Sequence, residues 1–223
     1  MLKTAPINQA ALLEINKNIQ KYSPYPEKVK LIAVTKNLNF SSIKSSYENQ
    51  IFNIGESRLQ ETQQKIKNKQ NIKELNWHFI GPLQTNKIKK IVKIYNIIQT
   101  VDTEKKAEKI NKEAKKINKK QSIMIQVNIS KAQQQQGIFL DYLEDFYLKI
   151  NKLTNIKVLG FMAIGPNTEN KKEIKEKFRE LKKFTQKKYK NKSLELSLGM
   201  SDDYIIALKE GSTYIRIGTK LFT

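Results

Sequence analysis

The sequence predicts a single (β/α)8 barrel domain over residues 1–223, with one extra helix ahead of the first strand. Three observations predict it. Eight short runs are rich in β-branched and aromatic residues, helical spacing fills the gaps between them, and the phosphate fingerprints of open sheets are missing. A chain of this length buries a core without covalent staples. It contains no cysteine, which excludes disulfides, thiolate nucleophiles and cysteine-held metals.

The elements follow in order. A helix is expected over 8–21, before a first strand at 30–36 (KLIAVTK). Further strands are read at 51–57 (IFNIGES), 77–82 (WHFIGP) and 95–102 (YNIIQTVD). The second half supplies 122–130 (SIMIQVNIS), 158–166 (VLGFMAIGP), 194–201 (LELSLGMS) and 214–222 (YIRIGTKLF). Gly, Pro, Asn or Asp often bound these runs, and several are near-continuously apolar, as parallel strands under a helical layer are. Ala107, Ile110, Ala114 and Ile117 recur at helical spacing before the fifth strand; Ile174, Phe178, Leu181 and Phe184 do so before the seventh. Residues 131–137 (KAQQQQG) read as a loop, and 182–192 as a helix end with a basic surface loop. A doubly wound open sheet is the alternative. It is disfavoured because no GxGxxG follows a strand and no GxxxxGK[ST] occurs.

Charge narrows the function classes. The 42 basic residues exceed the 21 acidic ones by 21, yet only Arg58, Arg179 and Arg216 are arginine. Base reading and phosphate clamping draw on the arginine fork, so specific nucleic-acid binding is not expected; salt-sensitive adhesion to polyanions is. No apolar run approaches a membrane span, and the first residues lack a secretory pattern, so a cytoplasmic chain without membrane association is expected. His78 is the only histidine; a metal site is not expected, and a structural role is favoured for it.

Barrel sites sit at the carboxyl ends of the strands. Lys36 ends the apolar run LIAVTK, where a desolvated amine can condense with an aldehyde; a snorkelling lysine is the bland alternative. LSLGMSDD reads as strand, glycine turn and helix start, with Ser201 or Asp202 as N-cap, and such a start can hold a phosphate. Arg216, Gly218 and Thr219 add a cation, a bare backbone and a hydroxyl at the next strand end. An ordinary capped helix beside a structural arginine accounts for the same residues.

LIAVTK (31–36), NIGESRLQE (53–61), WHFIGPLQTNK (77–87), LGFMAIGP (159–166), LSLGMSDD (196–203) and GSTYIRIGT (211–219) together resemble the YggS/PROSC family. That family binds pyridoxal 5'-phosphate and is similar to the barrel domain of alanine racemase. The resemblance implies that Lys36 carries the cofactor as a Schiff base. It places Ser197, Ser201, Arg216, Gly218 and Thr219 around phosphate and ring, with Met162 lining the pocket. Ser57 stands where the family has asparagine, so a contact there is lost or bridged by water. The implied function is pyridoxal phosphate (vitamin B6) homeostasis, buffering the cofactor or delivering it to apo-enzymes, by a monomer rather than an oligomer. A non-enzyme is expected, because alanine racemase draws an opposing acid/base group from a separate β-domain and this chain ends with the eighth strand. A racemase or related lyase is the alternative, and a nonspecific polyanion-binding barrel the third.

Overall fold

The computed structural model describes residues 2–67, 75–190 and 193–222, and its strands and helices alternate. The strands are β1 (Lys30–Val34), β2 (Asn53–Glu56), β3 (Asn76–Phe79), β4 (Ile97–Val101), β5 (Gln121–Asn128), β6 (Ile138–Phe139), β7 (Ile156–Ala163), β8 (Glu195–Ser197) and β9 (Tyr214–Ile217). All pairings are parallel. The ring runs β1-β2-β3-β4-β5-β7-β8-β9 and closes where β1 pairs with β9, giving the expected (β/α)8 barrel.

The helices are α1 (Gln9–Tyr22), α2 (Phe40–Glu48), α3 (Leu59–Lys67), α4 (Ile88–Ile94), α5 (Glu104–Lys115), α6 (Leu143–Ile150), α7 (Lys171–Lys188), α8 (Tyr204–Lys209) and α9 (Thr219–Phe222). Short polar side chains start several of them: Asn8, Asn39, Thr103 and Asn170 each accept a backbone N–H of the first turn. The apolar stripe of α7 buries Ile174, Phe178, Leu181 and Thr185, and Phe184 packs half-buried against the same core. Among the described residues no helix is long and apolar enough to cross a membrane.

Strand alternation divides the core into two layers. Ile32, Val34, Met124, Met162 and Tyr214 fill the barrel interior. Ala33, Ile54, Phe79, Ile98, Ile125 and Phe161 face outward into the shell shared with the helices.

Several boundaries differ from the sequence reading. The last strand stops at Ile217, and Thr219–Phe222 coil into α9, which buries Leu221 and Phe222. The apolar pair in TKLF therefore packs from a helical turn. Ile117 lies beyond α5 and is exposed. Residues 131–137 form turns as expected, but they lead into the unforeseen β6. That strand pairs with Val127 and Asn128, on the side of β5 that β4 leaves after Ile125. The basic stretch 182–192 is helical through Lys188, and 191–192 lie outside the described residues.

Candidate functional site

Lys30, Ile32 and Val34 point inward from β1, and the same alternation carries Lys36 to the barrel mouth. Lys36 is exposed, and the chain turns away directly after it through Asn37, whose φ is 63°. That turn is clamped from α3 and the residue preceding it. The Asn37 N–H donates to Glu61 Oε2 (3.0 Å), and Arg58 donates to both Asn37 Oδ1 (2.9 Å) and Glu61 Oε1 (2.8 Å). Burial works against the Glu61 charge, but the Asn37 N–H, Arg58 and Lys65 hold its carboxyl below the usual range.

Beneath the turn lies a buried ion pair. Lys65 Nζ donates to Glu56 Oε1 (2.6 Å) and to the Thr35 carbonyl (2.7 Å), while the Thr35 hydroxyl donates to the same Glu56 oxygen (2.5 Å). Lys65 is 1 % exposed and Glu56 0 %. Burial pushes the Glu56 carboxyl up, and Lys65 and Thr35 pull it back only in part. The pair ties the residue before Lys36 to the residue before Ser57. Sequence reading missed it, since Lys65 is one lysine among 39.

Across the mouth, Arg216 points inward from β9 and is buried. Its guanidinium donates to the Ser197 carbonyl (2.6 Å), the Ser197 hydroxyl (2.7 Å) and the Ala163 carbonyl (2.9 Å). Burial lowers its pKa to about 10, opposed by Asp203, so it stays charged at neutral pH. Asp203 accepts the Met200 N–H (2.6 Å); its carboxyl is pushed up by burial and held back by that N–H and by Arg216. The expected cap at Ser201 or Asp202 is thus corrected. Asp203 stands at the start of α8 and braces the preceding turn instead, with no side-chain cap bond. Gly199 makes that turn possible: its φ is 86°, and a Cβ would lie 2.6 Å from the Cβ of Ala207.

These elements enclose a cavity of about 300 Å³ at the carboxyl ends of the strands. Lys36, Ser57, Met162, Ser201, Arg216, Gly218 and Thr219 line it. Ser197 does not. Its side chain is fully buried beneath Arg216, and its hydroxyl donates to Gln99 Oε1 (2.7 Å), so it meets the cavity only through the arginine. Val34, Ile80, Ile164, Met200 and Asp202 complete the wall; the sequence reading had the last two only as part of the LSLGMSDD turn and missed the other three. Strand phase alone identifies Val34 and Ile80 as inward-facing neighbours of Lys36 and Ser57. A larger cavity of about 440 Å³ collects Lys28, Thr213 and Leu194 from just before β1, β9 and β8. It opens at the opposite end of the barrel, away from the strand termini where such folds place their chemistry.

His78 lies in the barrel interior, 0 % exposed, between Gln99 Nε2 (2.9 Å from Nδ1) and Asn53 Oδ1 (3.1 Å from Nε2). Burial, aided by the nearby Lys30 charge, lowers its pKa to about 3, which keeps the ring neutral. The structural role expected for it agrees with these contacts. Among the described residues no group of three or more His, Asp or Glu is placed to hold a metal ion.

Comparison with known proteins places this geometry in a lineage. The family described as "Alanine racemase, N-terminal domain" matches residues 7–223. A "Pyridoxal phosphate homeostasis protein" of Aquifex aeolicus is 36% identical over 196 residues, 86% of each chain. The protein of that name in Pasteurella multocida is 34% identical over 221 residues, covering 95% of this chain and 94% of its own. PipY of Synechococcus elongatus, solved with pyridoxal phosphate bound, superposes with a TM-score of 0.84 at 29% identity, covering 96% of this chain and 99% of PipY. A Clostridium difficile alanine racemase shares the fold at a TM-score of 0.76 and 17% identity; 58% of its own chain is covered. The chain belongs to the alanine racemase N-terminal domain family, within the branch of the pyridoxal phosphate homeostasis proteins.

Proposed function

We propose that this chain binds pyridoxal 5'-phosphate at the barrel mouth, held as a Schiff base on Lys36, and buffers or delivers the cofactor rather than turning over a substrate. One observation carries the reading: the mouth sets the exposed amine of Lys36 and the buried cation of Arg216 around one small cavity. The donor set fits the cofactor. Ser57, Ser201 and Thr219 supply hydroxyls, and Gly218 presents a bare backbone directly after β9. Ile80, Met162 and Ile164 supply apolar walls for a flat ring. The names of the relatives and the cofactor recorded with PipY support the same reading.

Pyridoxal phosphate supplies an aldehyde that amines capture reversibly, and an electron sink. The protein's part is to hold and expose. The clamp of Arg58 and Glu61 fixes the turn after Lys36, and Arg216 holds positive charge without being drawn into solvent. Because Lys36 is exposed at the rim, a cofactor held there would stay within reach of competing amines without the barrel opening. The lack of cysteine agrees with a reducing, cytoplasmic setting.

The test is a visible spectrum before and after borohydride, followed by peptide mass mapping. A yellow band that bleaches and leaves a pyridoxyl adduct on Lys36 is expected, and Lys36→Ala abolishes it with the fold intact. A colourless protein that takes up no added pyridoxal phosphate overturns the reading. Racemase or lyase action is the second reading, favoured by the shared fold. Loss of α-deuterium from an amino acid incubated with the loaded protein establishes it; no exchange with any of the twenty leaves the carrier.

A further inference from the structure

We propose that Ser197, Gln99 and His78 are positioning residues, a one-way hydrogen-bonded relay that fixes how Arg216 is presented to the barrel mouth. The relay itself stands on geometry alone; its effect on the bound cofactor rests on the function proposed above.

Five side chains from five strands cross the barrel interior: Arg216 on β9, Ser197 on β8, Gln99 on β4, His78 on β3 and Asn53 on β2. Arg216 reaches Ser197 Oγ at 2.7 Å, Ser197 reaches Gln99 Oε1 at 2.7 Å, Gln99 Nε2 lies 2.9 Å from His78 Nδ1, and His78 Nε2 lies 3.1 Å from Asn53 Oδ1. A guanidinium only donates. The Ser197 oxygen therefore accepts from Arg216, and its single proton goes to Gln99. That orients the amide, oxygen toward Ser197 and nitrogen toward His78. Nδ1 must then accept, so the histidine proton sits on Nε2 and donates to Asn53. Each group has one role left once the arginine has taken its own.

An apolar side chain at Gln99 would fill this interior at lower desolvation cost, because buried polar groups are tolerated only when fully bonded. Gln99, His78 and Ser197 are each 0 % exposed. The groups facing His78 are the ring of Tyr214, 5.6 Å away, and the charge of Lys30. Neither competes for Nδ1. The chain of bonds thus ends on Nη1 of Arg216.

His78 is the sole histidine, so a long-range 1H–15N correlation of labelled, cofactor-free protein reports it without overlap. A single Nε2–H tautomer at neutral pH is expected; an Nδ1–H tautomer, or a mixture, overturns the relay. Ser197→Ala should weaken pyridoxal phosphate binding about tenfold, with Ser197→Thr restoring it. Wild-type affinity in Ser197→Ala overturns the positioning role. If the wild type takes up no pyridoxal phosphate, the function fails separately, and the tautomer still decides the relay.

Discussion

Lys65→Met should unfold this protein far more readily than any change at the exposed rim, because it strands the carboxylate of Glu56. The methionine matches the apolar stem of lysine and removes only the ammonium. Glu56 then keeps the Thr35 hydroxyl on Oε1, while Oε2 already lacks a hydrogen-bond partner. Breaking a buried pair by removing one partner costs about 3–5 kcal/mol. In a chain of this size that corresponds to a fall in Tm of about 10 °C. Urea unfolding across pH separates charge from packing. Glu56 has a folded pKa above its unfolded one, mainly through burial. A carboxyl raised on folding contributes most below the unfolded pKa and loses that contribution as pH climbs through the folded one. Without Lys65 the folded pKa rises further, so the deficit of the variant is larger at pH 8 than at pH 5. Adding Glu56→Gln removes the stranded charge and recovers most of the loss. A deficit that ignores pH, or a double variant no better than the single one, would refute the ion-pair account and leave packing as the cause.

Gly81→Ala places a Cβ 2.0 Å from the Ser57 carbonyl oxygen, a backbone atom that cannot move cheaply. A loss of about 3 kcal/mol is expected, with weaker pyridoxal phosphate uptake as Ser57 is displaced; an unaltered urea midpoint contradicts it. His78, held neutral to about pH 3 by burial, takes up a proton near pH 6.5 only on unfolding. Stability therefore falls as pH drops below 6.5, by up to about 5 kcal/mol at pH 3, and His78→Gln should flatten that part of the profile. The net charge of +21 predicts retention on heparin that is lost by about 0.3 M salt. Lys36→Ala should elute with the wild type, whereas an earlier, Lys36-dependent elution would point to a specific anion site there.

The barrel was legible because its strands announce themselves through short apolar runs, and Lys36 because it ends one. Arg216 and the LSLGMSDD turn were legible for the same reason, as polar groups at strand ends. The depth at which a residue sits was not. Ser197 and Ser201 are four positions apart in one motif, yet one lies under Arg216 and the other lines the cavity. That difference depends on strand phase and on where β8 ends, and Gly199 sets both by turning the chain. The two-residue β6 was invisible because its pairing comes from vacant edge on β5 rather than from its own sequence. Gln99 and Lys65 gave no signal, since each acquires its role only from partners brought in by other strands and helices.

The three arginines divide the positive charge of this chain into two populations. Each makes a contact at more than one point: Arg58 joins Asn37 to Glu61, Arg179 grips both oxygens of Glu210, and Arg216 holds Ser197 and Ala163. Arg58 uses Nη1 for both contacts, but a lysine, as a compact point charge, cannot reproduce the forked grips of Arg179 and Arg216, each made by two nitrogens of one plane. Most of the 39 lysines are interchangeable solvated charge, setting how the molecule disperses and what it sticks to. Acylating the exposed amines would therefore strip the colloidal charge of the protein while leaving its three guanidinium joints chemically untouched. At Lys36, the one lysine among the described residues that lines the mouth cavity, the same reagent would compete with the proposed cargo.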